Sequence, residues 1–159
     1  MKKNIPGICL FITIPLLFSC TESRPDLIKE ESEIRQLLQQ ERKAHFERNA
    51  DLFISEFSEN MLSVNKGQVM TASPKERKDR IQRYFNNVEF IKWDDLAGPI
   101  IRFSDDGSLA YAIIQKEVIV NRKDSTGISV PDTSHFAWAS IYRKEKGEWK
   151  VEANISTNK

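Results

Sequence analysis

The sequence predicts an α+β domain in which N-terminal helices cover one face of a curved antiparallel sheet. Three observations carry that prediction: amphipathic helical spacing confined to residues 26–87, long strand-like segments after Asn87, and turn signals between those segments. The chain has 159 residues with only six Gly and six Pro, which excludes collagen-like and low-complexity architectures. Nine Phe, three Trp and three Tyr supply the apolar bulk for one core and exclude a disordered chain. A formal charge of +1 provides no field that would draw the protein to nucleic acid.

The N-terminus reads as an address. Lys2 and Lys3 precede an apolar stretch, Ile8 to Phe18, broken only by Thr13 and Pro15 and too short to span a bilayer comfortably, the pattern of a secretory signal. Leu17-Phe18-Ser19-Cys20 resembles the bacterial lipobox. That resemblance implies cleavage before Cys20, acylation of Cys20 with chains such as palmitate, and a mature protein held at the bacterial cell envelope through its N-terminal lipid. Several acyl chains on one cysteine anchor durably, because each buried CH₂ contributes about 0.8 kcal/mol. Residues 1–19 are then the signal, 20–26 a tether and 27–159 the domain. With Cys9 removed and Cys20 acylated, no thiol remains for a disulfide, a thiolate metal site or a nucleophile. The mature chain keeps 22 Lys and Arg against 23 Asp and Glu.

From Asp26 to about Asn49, Ile34, Leu37, Leu38, Glu41 and His45 share helical spacing, while Glu30, Arg35, Gln39 and Arg42 fall on other faces. Asn49-Ala50-Asp51 stops and restarts the helix, and Leu52, Phe53, Ile54 and Phe57 form a short second one. Met61–Asn65 and Gln68–Thr71 flank Lys66-Gly67 as a hairpin. Ser73-Pro74-Lys75-Glu76 is a capping box with proline at the first helical position, so a third helix runs from Pro74 to about Asn87 with Ile81, Tyr84 and Phe85 on its apolar face. Strands follow at Val88–Leu96, Ile100–Phe103, Leu109–Asn121, Phe136–Lys144 and Trp149–Thr157. Ser104-Asp105-Asp106-Gly107 and Glu145-Lys146-Gly147 are turns, and Asn121–Thr133 is a polar loop.

This order of elements, closing on Gly147-Glu148-Trp149-Lys150-Val151 and a terminal Thr157, resembles the nuclear transport factor 2-like superfamily, in particular its SnoaL-like and lipoprotein members. The resemblance covers residues 30–157. It implies a cone-shaped, cystatin-like α+β fold with an open pocket, often paired into a homodimer through the outer sheet face.

Strand alternation names the residues that face such a pocket. If Glu145-Lys146-Gly147 is a three-residue loop with Gly147 left-handed, Ile141 pairs with Val151. Phe136, Trp138, Ser140 and Tyr142 then share a face with Lys150, Glu152 and Asn154, which mixes aromatic walls with orienting polar groups. A two- or four-residue loop instead sets Trp138, Ser140 and Tyr142 beside Val151, Ala153 and Ile155. The same aromatics also suit a core or a dimer interface. Lys116 interrupts an apolar stripe of Ala112, Ile114, Val118 and Val120. It either pairs with a carboxylate such as Glu152, binds an anionic ligand group, or reaches past the rim to solvent. His45, near the end of the first helix, completes the candidates.

His45 and His135 have no metal-ligand spacing, and no nucleotide-binding or nucleophile motif occurs, so neither metal nor cofactor is expected. The run Lys75, Arg77, Lys78, Arg80 and Arg83 reads as a solvated helix face. The expectation is a noncatalytic envelope domain that binds a small amphipathic ligand or a protein partner. One alternative is an isomerase, dehydratase or hydrolase using a pocket carboxylate or His as general base, with Glu117, Glu152 and Asp94 as candidates. The other is a dimerisation module without ligand. Ala153 and Ile155 stand where the resemblance implies His in many catalytic members, which lowers the enzyme reading.

Overall fold

A computed structural model describes residues 25–158; the expected signal segment 1–19, Cys20 and tether residues 21–24 lie outside the described residues. The elements follow in the order α1 (Leu27–Phe46), α2 (Ala50–Ile54), β1 (Phe57–Asn65), β2 (Gln68–Thr71), α3 (Pro74–Asn87), β3 (Val88–Asp95), β4 (Ile100–Phe103), β5 (Leu109–Lys123), β6 (Ser129–Glu145) and β7 (Glu148–Asn158). Among the described residues, no helix is long and apolar enough to cross a membrane.

Local chemistry sets most boundaries. Asp26 caps α1 by accepting from the Lys29 amide at 3.2 Å, and Asn49 caps α2 by accepting from Leu52 at 2.9 Å. Ser73 and Glu76 form the full capping box of α3, with Pro74 in its first turn. The second helix ends at Ile54, so Phe57 opens β1 instead of closing a helix.

The strands make one open, curved sheet in the order β2-β1-β7-β6-β5-β3, with β4 also paired to β5. The sheet is mixed, because β1 runs parallel to β7 while the other pairs are antiparallel. No hairpin joins β1 to β7, so nothing local forces those two to reverse direction. The core lies between the helices and the concave face, where Ile34 and Phe85 pack with Phe90, Ile114, Tyr142 and Trp149. At about 25 cal/mol per Å² of apolar area, such large side chains supply most of the drive to fold.

Two strand-level expectations are corrected. The polar loop Asn121–Thr133 is mostly paired strand, since Val120 meets Asp132 and Asn121 meets Pro131, leaving only residues 124–128 as the turn. Pro131 is tolerated because it lies beyond the last β7 partner of β6, where that strand is an edge. The closing hairpin has a two-residue loop, Lys146 and Gly147, both at positive φ (52° and 89°), as a type I′ turn requires.

That loop puts Tyr142 opposite Val151 rather than Ile141, but the register then shifts between Ile141 and Tyr142. Ile141 pairs with Ala153 and Ser140 with Asn154, so Glu152 is the extra residue of a bulge. The bulge reverses the alternation of β7. Trp149 and Val151 are buried on one side of it, while Asn154 and Ser156 reach the concave side on the other. Opposite the same residue, β1 carries a four-residue irregularity between Phe57 and Leu62.

The end of the domain at the start of α1 is sealed. Glu30 accepts from Lys144 Nζ at 2.6 Å and from the Trp149 indole at 2.7 Å, a buried cluster joining helix to hairpin. Glu30 therefore lies on the buried face and not, as the spacing predicts, on another. Pro25 rests on the Ser104–Ser108 turn, where a Cβ on Gly107 would come within 2.7 Å of its ring; Gly107 also has φ +66°.

Candidate functional site

At the other end of α1 the sheet and helices part around a cavity of about 240 Å³. That is roughly eight water volumes, just below the range of about 300–1,000 Å³ for drug-sized ligand sites, so it suits a smaller molecule. Its walls are aromatic: Phe53 from α2, Phe57 from β1, Tyr84 from α3, Trp93 from β3, and Phe136 and Trp138 from β6. Its polar groups are Glu41 and His45 from α1, Ser63 from β1, Asn154 and Ser156 from β7, and Arg77 and Arg80 from α3.

His45 and Glu41 are one helical turn apart and share the face of α1 that meets the cavity. His45 is 5% exposed and stacks on Trp93 with ring centroids 3.7 Å apart, while the edges of Phe53, Phe85 and Phe90 surround it. Its Nδ1–H donates to the Glu41 carbonyl at 2.7 Å, which leaves Nε2 as a lone-pair acceptor. Burial pushes the imidazole down to about 4, against the hydrogen bond to Glu41, and nearby Lys116 lowers it further. The ring is neutral at pH 7.

The Glu41 carboxyl is raised to about 7, chiefly by burial, with Asp95 adding to the rise and Lys116 opposing it. Among the described residues it has no hydrogen-bond partner. Close to it Glu56 is 4% exposed, and its Oε1 is buried without a partner among the described residues. Burial first and the Glu41 charge second push Glu56 up to about 9, more than its hydrogen bond to Gln40 and the charge of Lys150 can offset. Glu56 is thus protonated at neutral pH. Tyr142 is buried beside both carboxyls with Ser140 as a hydrogen-bond neighbour, and burial raises its phenol above the ordinary value.

Arg77 has a structural task despite facing the cavity. Its guanidinium donates to the carbonyls of Ser58, Glu59, Met61 and Ala72 at 3.1–3.5 Å. Three of those carbonyls belong to the β1 irregularity opposite Glu152, whose ladder partners are missing. The expected solvated basic face of α3 is therefore broken at Arg77, which is 3% exposed.

The sequence-derived candidates separate into four groups. His45, Trp138 and Asn154 line the cavity. Ser140 and Tyr142 are buried and absent from its lining. Lys116 is buried in a salt bridge with Asp95 and faces a second groove, shared with Arg35, Arg42 and Asp94, so that its partner is Asp95 and not Glu152. Glu152 pairs with Arg143 Nε at 2.9 Å, both partly exposed, and does not line the cavity. Of the suggested bases, Glu117 bridges Lys92 at 2.5 Å and His135 at 3.3 Å, and Asp94 bonds Arg42; neither reaches the cavity.

Glu56 and Arg77 are not among those candidates, and the sequence marks Glu41 only as part of a helical stripe. The i, i+4 pair of Glu41 and His45 within an apolar stripe is the signal that marks the site, as is Arg77 one turn before Ile81. Among the described residues, no group of three or more His, Cys, Asp or Glu side chains is arranged to hold a metal ion.

Comparison with solved structures shows what this arrangement is similar to. A nuclear transport factor 2-like family protein from Streptomyces avermitilis superposes with a TM-score of 0.68 at 11% identity, covering 85% of this chain and 99% of that one. A ketosteroid isomerase-like protein from Erwinia carotovora atroseptica matches with a TM-score of 0.64 at 14% identity, covering 82% and 96%. A nuclear transport factor 2-like protein with a cystatin-like fold from Novosphingobium aromaticivorans matches with a TM-score of 0.59 at 15% identity, covering 82% of each chain. No protein-family model matches the sequence, and neither does any curated protein. The chain has the nuclear transport factor 2-like, cystatin-like fold.

Proposed function

We propose that the domain holds a small amphipathic molecule in the aromatic cavity without transforming it, at the bacterial cell envelope, anchored by lipid on Cys20. The observation that carries this reading is the composition of the cavity wall. Six aromatic side chains surround a few convergent polar groups, the division of labour expected of a ligand site. Protein purified from membranes and then denatured should release a stoichiometric small molecule detectable by mass spectrometry. Trp138→Ala should lower its recovery; recovery of none from wild-type protein overturns the reading. Cys20→Ser should shift the protein from the membrane to the soluble fraction, and continued membrane retention counts against the anchor.

Glu41 favours a second reading, an enzyme in which a cavity carboxylate acts as general base. A carboxyl at about 7 with no hydrogen-bond partner among the described residues is matched to proton abstraction near neutral pH. Deuterium exchange into the extracted ligand, abolished in Glu41→Gln, would establish turnover. Homodimerisation is supported by the convex sheet face, where Tyr111 meets Ile141, Ile113 meets Ala139 and Ala139 meets Ile155. Ile113→Lys should give a monomer in sedimentation if that face pairs two copies.

A further inference from the structure

Building on the ligand-binding reading of this cavity, we propose that it selects a small aromatic amine, held as its ammonium cation with N–H groups directed at the Glu41 carboxylate and His45 Nε2. Most of the cationic groups near the cavity are already committed. Arg77 spends its guanidinium on four backbone carbonyls, and Lys116 is neutralised by Asp95. Arg80 lies at the exposed rim. Among the described residues, the acceptors have no such commitments. The Glu41 carboxylate has no donor, and the hydrogen bond from His45 Nδ1–H to the Glu41 carbonyl fixes Nε2 as an acceptor in a side chain that is 5% exposed.

Ser63, Asn154 and Ser156 also line the cavity and can donate as well as accept, so it is the two acceptors without donors, Glu41 and His45 Nε2, that a ligand has to supply. A hydrocarbon would leave both acceptors desolvated, and a carboxylate would add like charge beside Glu41. An ammonium satisfies both acceptors, which sit one helical turn apart, and the rings of Trp93, Trp138 and Phe136 offer faces to the cation and to its aromatic body.

The surrounding charges determine how binding depends on pH. Facing Glu41 are Glu56 from the turn between α2 and β1, Asp95 from β3, Lys116 from β5, Tyr142 from β6, Arg77 and Arg80 from α3 and His45 from α1, with Lys150 from β7 acting on Glu56. Glu56 and Tyr142 are neutral at pH 7, His45 is neutral, and Lys116 is offset by Asp95. Glu41 is then the group whose charge changes near neutrality. Its raised value, about 7, means that an ammonium must displace a proton to bind at pH 6, so affinity rises with pH until the amine itself loses its proton.

The test compares three probes of nearly one shape, 2-phenylethylamine, 2-phenylethanol and phenylacetate, titrated into the purified chain by calorimetry and tryptophan fluorescence. The amine should bind about 10 to 100 times more tightly than the alcohol, and phenylacetate most weakly. Affinity for the amine should rise about thirtyfold from pH 5.5 to pH 8, with proton release at pH 6. Glu41→Gln should erase the preference, chiefly by weakening the amine. Equal binding of amine and alcohol, or a preference that survives in Glu41→Gln, overturns the proposal and leaves the ligand-binding reading standing. Binding of none of the three, with no molecule recovered from the membrane-purified protein, overturns both. The wild-type ratio and pH profile decide the question even if the variant folds poorly.

Discussion

Helix α1 presents a glutamate to the sheet near each of its ends, and the two have opposite fates. Glu30 and Glu41 are eleven residues apart, about three turns, so both fall on the face that meets the core. Glu30 finds an ammonium and an indole donor, Lys144 and Trp149. Burial alone would raise its carboxyl, yet those hydrogen bonds hold it below the ordinary carboxylate value. Glu41 finds aromatic rings and a histidine that offers only a lone pair, and its carboxyl climbs to about 7. Burial by itself therefore does not make a reactive carboxylate. What distinguishes the structural end from the candidate site is whether a donor reaches the buried carboxyl, as Lys144 and Trp149 reach Glu30.

The comparison can be broken most severely at its anchors. Arg77→Met should cost about 3–5 kcal/mol in denaturant unfolding, because it orphans carbonyls of the β1 irregularity. Glu30→Ala should cost about 3 kcal/mol by stranding Lys144 and the Trp149 N–H. The Glu30 carboxyl is lowered, so its contribution is present above the ordinary carboxylate pKa and is lost as pH falls below it.

At the cavity end the signs reverse. Glu56 and Glu41 bind protons more tightly folded than unfolded, so their contribution is full below about 4.5 and is lost as pH rises through about 9 and about 7. Glu56→Gln should raise stability by about 1–3 kcal/mol at pH 8 and by little at pH 4. Glu41→Gln should do the same by about 1 kcal/mol, since its side chain is partly open to the cavity. A destabilised Glu56→Gln at pH 8 would show that Gln40 and Lys150 hold the ionised Glu56 carboxylate in the folded protein. The smallest effect belongs to Glu152→Ala, which breaks a partly exposed pair with Arg143 and should change stability by no more than about 0.5 kcal/mol.

Where residues interact with near neighbours in sequence, the chain was legible. Ser73 and Glu76 announced α3, Lys66-Gly67 announced the first hairpin, and apolar alternation found β3 to β7. The Asn121–Thr133 stretch misled because its polar residues and Pro131 read as loop, although an edge segment tolerates both. His45, Trp138 and Asn154 were legible as cavity residues from helical spacing and alternation, but Glu152 was not, because a bulge shifts side chains from one face to the other without leaving a glycine or proline to mark it.

The amino-acid sequence by itself determined the α+β class, the caps, the turn positions and the set of aromatics available to wall a cavity, since each depends on residues within a few positions of one another. Tertiary structure alone decided which carboxylate was satisfied. The donors that quiet Glu30 come from positions 114 and 119 residues away, and among the described residues no comparable partner reaches Glu41. Proton affinity depends on burial and on the groups that surround a carboxyl in space, and neither is set by the residues beside it in the chain.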